Sequence, residues 1–110
     1  AAGKRDSTKR PKMGQAADKY ADLIILTSED PRNEDPQKIC DDIAKGIKSK
    51  EFKTIIDRQE AINFAIKNAK PNDVVGILGK GHEKSMNIKG KETPWDDFEA
   101  VKKALNQNGK

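Results

Sequence analysis

Three short segments concentrate the residues able to do chemistry. Gly79-Lys80-Gly81-His82-Glu83 comes straight after an apolar run. Its glycines would let the backbone approach an anion closely. The segment has half the makings of a phosphate loop, without the spacing or the trailing Lys-Ser/Thr of a whole one. No Gly-x-x-x-x-Gly-Lys-Ser/Thr occurs in the 110 residues, so a triphosphate cannot be cradled in that way. His82 is the sole histidine. Beside Glu83 it fits a hydrogen-bonded structural pair better than a catalytic one. No second His or Cys nearby completes a zinc site.

The second segment, Glu29-Asp30-Pro31-Arg32, also follows an apolar run. Two acids and an arginine at the carboxyl end of a strand could hold both the amine and the carboxylate of an amino acid. An acidic turn with a solvated arginine is the plainer alternative. The third is Gly3-Lys4-Arg5-Asp6-Ser7-Thr8-Lys9-Arg10-Pro11. A glycine, two arginine forks and a helix start suit phosphate or carboxylate. A disordered basic terminus has the same composition. No Ser/His/Asp or Cys/His arrangement is present, and Cys40, alone in mid-helix, reads as a small core residue.

Charge and composition narrow the classes. Five basic residues against Asp6 alone in positions 1–12 carry the whole net charge of +4, so the other 98 residues are neutral. A nucleic-acid surface would spread its cations over a face and interleave aromatics. Here there are five aromatics in all, and a local anion site is favoured over nucleic acid. No apolar run approaches the ~18 residues of a membrane span, and no signal peptide opens the chain. One cysteine excludes an internal disulfide. Together these point to a soluble cytoplasmic protein of one domain.

The elements that must position these segments alternate. A helix is expected after Pro11, with Met13, Ala16, Ala17 and Tyr20 on its inner face. Leu23–Thr27 reads as a buried strand. Asp35 and Pro36 open a helix that turns Ile39, Ile43 and Ile47 inward, and Gly46 suits its end. Phe52–Ile56 is a second strand. Asp57 and Glu60 suit a capping box on a helix burying Ala61, Ile62, Ala65, Ile66 and Ala69. Val74–Leu78 reads as a third buried strand. A short hairpin is expected around Gly90, then a helix capped by Asp96 with Phe98, Val101 and Leu105 inward. Such alternation predicts an α/β, Rossmann-like three-layer domain, a mostly parallel sheet flanked by helices. Ligands in such sheets collect beyond the carboxyl ends of the strands. The glycine-bearing opening has no strand before it, so an N-terminal strand or strands are expected to be missing from a longer protein.

Taken in order, Gly-x-Arg-Asp-x-x-Lys-Arg-Pro (3–11), Glu-Asp-Pro-Arg (29–32), Asp-Arg-x-x-Ala-Ile (57–62), Gly-Lys-Gly-His-Glu (79–83) and Pro-Trp-Asp-Asp (94–97) form a set. This set resembles the C-terminal domain of the Mur ligases that act on a UDP-N-acetylmuramoyl dipeptide. The match runs from Ala2 to about Leu105. The resemblance implies that residues 1–110 are a lid that grips an amino acid and closes over ATP. The complete enzyme would add a diamino acid to the D-glutamate of the precursor in peptidoglycan synthesis. ATP and Mg2+ would sit mainly on a central domain that carries the phosphate loop and a carbamylated lysine. The nucleotide-sugar would sit on an N-terminal domain.

Carried over by motif, Arg5 would grip the carboxylate of the incoming amino acid. Asp30 and Arg32 take the second and fourth positions of the specificity motif. Gly79 and Glu83 would line the distal end of the pocket, while Lys4 and Arg58 are candidate nucleotide contacts. Neither a catalytic residue nor a metal ligand is expected on this chain, which alone should be inactive. Two positions depart from the family's pattern, Lys4, where Gly or Asp is common, and Glu29-Asp30. Glu29-Asp30 stands where Asp-Asn is common, which leaves L-lysine open, whereas Arg32 favours meso-diaminopimelate. A free-standing small-molecule or nucleotide binding module derived from the ligase is the alternative. Membrane and nucleic-acid partners are not expected.

Overall fold

The computed structural model describes residues 9–29, 34–78, 84–89 and 91–109. Along them run α1 (Arg10–Tyr20), β1 (Leu23–Leu26), α2 (Pro36–Ala44), β2 (Glu51–Thr54), α3 (Arg58–Asn68), β3 (Ser85–Ile88), β4 (Lys91–Pro94) and α4 (Asp97–Gln107). β1 and β2 pair in parallel, from Leu23 opposite Glu51 to Leu26 opposite Thr54. A parallel pair needs a crossover, and α2 supplies it. The chain is therefore α/β, as the alternation predicts. β3 and β4 form the hairpin expected around Gly90, with Lys89 at φ 55° in the turn.

Three helices begin on an aspartate, as expected. Asp35 accepts the Gln37 N–H at 3.0 Å, Asp57 that of Glu60 at 3.0 Å, and Asp96 that of Phe98 at 2.9 Å. Each such cap satisfies an amide that the helix leaves orphaned, at about 1 kcal/mol. α1 has no side-chain cap and relies on Pro11 in its first turn.

Two apolar clusters organise the packing. Ile24 and Leu26 of β1 meet Ile39, Cys40 and Ile43 of α2, with Ala17, Ala21, Ile47 and Ile56 around them. Ile62 and Ile66 of α3 meet Ala100 and Ala104 of α4, flanked by Ile77, Trp95, Val101 and Leu105. Cys40 is buried in the first cluster, its thiol 3.7 Å from the Thr27 carbonyl, and burial pushes its pKa up. That is the core role its sequence position implies.

Three expectations fail for identifiable reasons. Met13, Ala16 and Tyr20 are exposed, Tyr20 to 79%, and α1 instead buries Arg10 and Gly14. The cause is backbone proximity. A Cβ on Gly14 would overlap the carbonyl oxygen of Ile43, and one on Gly46 would overlap that of Pro11. α1 thus meets the end of α2 and the turn after it through Gly14 and Gly46, leaving no room for large side chains between them. Val74–Leu78 carries no strand, and Val74 and Leu78 are 95% and 84% exposed. A continuous apolar run becomes a buried strand only if a neighbouring strand and a covering layer are present. Here Ile77 alone joins a core cluster. Phe98 points outward at 63% exposure, because the small Ala100 and Ala104 let α3 approach α4 closely.

Gly14→Ala and Gly46→Ala should each destabilise the chain by about 1–3 kcal/mol or more, the usual cost of overpacking. Urea unfolding midpoints measure this. Unchanged midpoints would show that the two helices can separate without loss.

Candidate functional site

The residues flanking the three chemical segments are held by two buried arginines. Arg10, 1% exposed, is the first residue of α1. Its Nη1 donates to Glu34 Oε2 at 3.1 Å and Asp42 Oδ2 at 3.0 Å, and its Nη2 to Glu34 Oε1 at 3.0 Å. The fork is two-pronged on Glu34, the geometry in which arginine binds a carboxylate best. It joins the carboxyl end of the Gly3–Pro11 segment to Glu34, two residues beyond Glu29–Arg32. The pair also has an electrostatic signature. The Glu34 hydrogen bond raises the Arg10 pKa against the cost of burial, and the Arg10 hydrogen bond lowers that of Asp42.

Arg58, 5% exposed, is the first residue of α3. Its Nε and Nη2 grip Asp97 Oδ1 and Oδ2 at 2.9 and 3.0 Å. Its Nη1 donates to the Ser28 carbonyl at 3.1 Å, and Nη2 also to the Leu78 carbonyl at 3.0 Å. Four of the five guanidinium N–H bonds therefore end on protein acceptors. Ser28 is itself tied to the chain just beyond β2: its hydroxyl donates to the Ile56 carbonyl at 2.8 Å and its N–H to the same oxygen at 3.4 Å. Asp97 receives a further donor, Trp95 Nε1, at 2.6 Å.

The far side of the Gly79–Glu83 segment is fastened separately. Lys84 Nζ donates to Asp96 Oδ2 at 2.9 Å, and the Trp95 N–H to the Lys84 carbonyl at 2.9 Å. The Lys84 hydrogen bond keeps the Asp96 carboxyl below its ordinary pKa. The Pro-Trp-Asp-Asp run thus does three things: Asp96 caps α4 and holds Lys84, Asp97 holds Arg58, and Trp95 holds both ends together.

Of the residues expected at the site, Lys4, Arg5, Asp30, Arg32, Gly79 and Glu83 lie outside the described residues. Arg58, a candidate nucleotide contact from its motif, turns inward. The sequence reading missed Arg10, Asp97 and Trp95 as framework. The signal was present, since Arg10 belongs to the Lys-Arg-Pro end of one motif and Asp97 to another. Among the described residues no group of three or more His, Cys, Asp or Glu could hold a metal ion.

The chain is similar to known proteins along nearly its whole length. The family described as Mur ligase, glutamate ligase domain, matches residues 1–81. The chain is 54% identical over 111 residues to the UDP-N-acetylmuramoyl-L-alanyl-D-glutamate--2,6-diaminopimelate ligase of Aquifex aeolicus, covering 99% of this chain and 23% of that protein. It is 47% identical to the ligase of the same name from Chlorobium phaeobacteroides, over 94% of this chain and 20% of that one. A solved structure of a ligase so named superposes with a TM-score of 0.93 at 41% identity, over 100% of this chain and 23% of that chain. The chain thus spans less than a quarter of the length of these relatives.

The Arg10 cluster predicts an acid limb of stability. A depressed aspartate pKa contributes stability that is complete above the ordinary value of 3.8 and is lost as pH falls through the lower folded value. Melting temperature should therefore drop as pH is lowered below about 4, and Arg10→Gln should flatten the Asp42 part of that drop. An acid limb identical in the variant would remove this pairing as its cause.

Proposed function

This chain belongs to the Mur ligase family, and we propose that it is the C-terminal domain of the ATP-dependent ligase that adds a diamino acid to UDP-N-acetylmuramoyl-L-alanyl-D-glutamate. Meso-diaminopimelate is favoured over L-lysine. The observation that carries this reading is the span of the likeness: 54% identity across 99% of the chain to a relative named for that amino acid. The framework supports it as well, because two buried arginines bring the flanks of the motif-bearing segments into one assembly.

In the proposed reaction ATP phosphorylates the glutamate carboxylate to an acyl phosphate. The amine of the diamino acid attacks the acyl carbon, phosphate leaves with its bonding pair, and the amine gives up a proton as the amide forms. This chain grips and orients rather than reacts. Arg5 takes the carboxylate at the reacting end of the amino acid. Asp30, Arg32, Gly79 and Glu83 take the distal end, where a zwitterion needs both an anion and a cation. ATP and Mg2+ are held mainly by the central domain, with Lys4 as a contact from this side. The reading includes a bacterial cytoplasmic location. No helix among the described residues is long and apolar enough to cross a membrane.

Two outcomes are expected. The chain alone should show no ligase turnover with ATP, diaminopimelate and the nucleotide dipeptide, and measurable turnover would overturn this division of labour. In the intact enzyme, Arg32→Ala should raise the KM for diaminopimelate by roughly the hundredfold that a lost bidentate charge contact implies, about 2–3 kcal/mol, and leave that for ATP nearly unchanged. Equal effects on both would count against an amino-acid role, and a wild-type preference for L-lysine would overturn the choice of substrate.

A further inference from the structure

We infer that Arg58 is a positioning residue that sets the spacing of the amino-acid pocket by holding the roots of its two specificity segments. The inference rests on the reading of residues 29–32 and 79–83 as that pocket. Ser28 immediately precedes the first segment and Leu78 the second, and the carbonyls of both accept from one guanidinium, at 3.1 and 3.0 Å. Four of the five residues assigned to the amino acid, Asp30, Arg32, Gly79 and Glu83, lie within five positions of these two carbonyls. The separation of those two carbonyls is therefore governed by a planar group whose own position is locked.

The lock is Asp97. Its two oxygens bind Nε and Nη2, and Trp95 Nε1 orients Oδ1 at 2.6 Å. Because Asp97 opens α4 while Arg58 opens α3, the clasp is also welded to the cluster of Ile62, Ile66, Ala100 and Ala104.

Chemistry explains why arginine stands here. A buried ion pair seldom stabilises a fold more than apolar side chains of the same volume would. An apolar residue could fill the space, but it could not hold two carbonyls and a carboxylate at fixed angles. Lysine carries the charge on a single flexible point and cannot reproduce the fork. The requirement met is directional, and it falls on the two segments that must recognise a zwitterion.

The test uses the intact enzyme with Arg58→Lys, Asp97→Asn and Trp95→Phe, the last removing only one donor to Asp97 and so keeping a folded protein in hand. KM values for diaminopimelate, ATP and the nucleotide dipeptide are measured with kcat and melting temperature. Misplacement of a pocket by about 1 Å can cost about a hundredfold. Arg58→Lys should therefore raise the KM for diaminopimelate roughly ten- to a hundredfold, with ATP and dipeptide constants within about twofold. Selectivity for diaminopimelate over L-lysine should fall with it, and Trp95→Phe should move the same way by less. A parallel rise in the KM for ATP would overturn the inference in favour of a direct nucleotide contact. Lowered melting temperatures with unchanged KM values would reduce the clasp to packing. If the wild-type enzyme takes L-lysine, the substrate assignment fails while the clasp is still judged on that amino acid against ATP. If it shows no ligase turnover, the functional reading itself falls.

Discussion

A buried guanidinium has to have its donors answered, and Arg58 answers four of them with groups from three separate stretches of chain. Left unpaired, a buried charge costs several kcal/mol, so the bonds to Asp97, Ser28 and Leu78 stand or fall together. The consequence reaches beyond α3. Ser28 follows β1 and is tied to Ile56 after β2, so the carboxyl end of the parallel pair is fixed in relation to α3 and α4. The apolar clusters decide which elements pack. The clasp decides where their ends sit, which is what a site at the strand ends requires.

The second arginine does similar work on the other helix pair, with a different physical partner. Gly14 and Gly46 let α1 and α2 approach backbone to backbone, and such an approach alone leaves rotation and sliding only weakly defined. Arg10, bidentate on Glu34 and bonded to Asp42 of α2, removes that freedom at the N-terminal end of α1. Asp18 secures the opposite end of α1, accepting the N–H groups of Ser49 and Lys50 at 3.1 and 2.8 Å. Small residues bring the helices together, and directional bonds at either end set their register.

What could be read in the sequence follows from how local each determinant is. Asp35, Asp57 and Asp96 act within three residues, so caps and helix starts were legible. The inner faces of α2 and α3 followed from apolar periodicity, with Ile39, Ile43, Ile62 and Ile66 buried. The inner face of α1 was not legible that way, since a glycine and an arginine are the residues buried and neither is apolar in pattern. Val74–Leu78 failed for a related reason. Its pattern states what the run could bury, while a strand also needs a partner, which no local pattern supplies. The segments assigned to the site rest on motif alone. Their framework, Arg10 with Glu34 and Arg58 with Asp97, joins residues 24 and 39 positions apart. Pairings at that range have no local signal.

The same pairings alter the meaning of the charge distribution. Counted along the sequence, positions 1–12 hold the entire net charge and Glu29–Asp35 holds four acids, which suggests a basic arm and an acidic loop facing solvent. In the fold the two runs are partly one another's counterions, because Arg10 of the first is buried on Glu34 from the far end of the second. A charge neutralised by a neighbouring opposite charge contributes little to the field around it, so the basic run attracts polyanions less than its own formal sum implies. Near the segments the effect is the reverse. Burying Arg10 of the first run against Glu34 of the second separates structural charges from those assigned to the ligand, and a small zwitterion can then be recognised by local pairs of opposite sign.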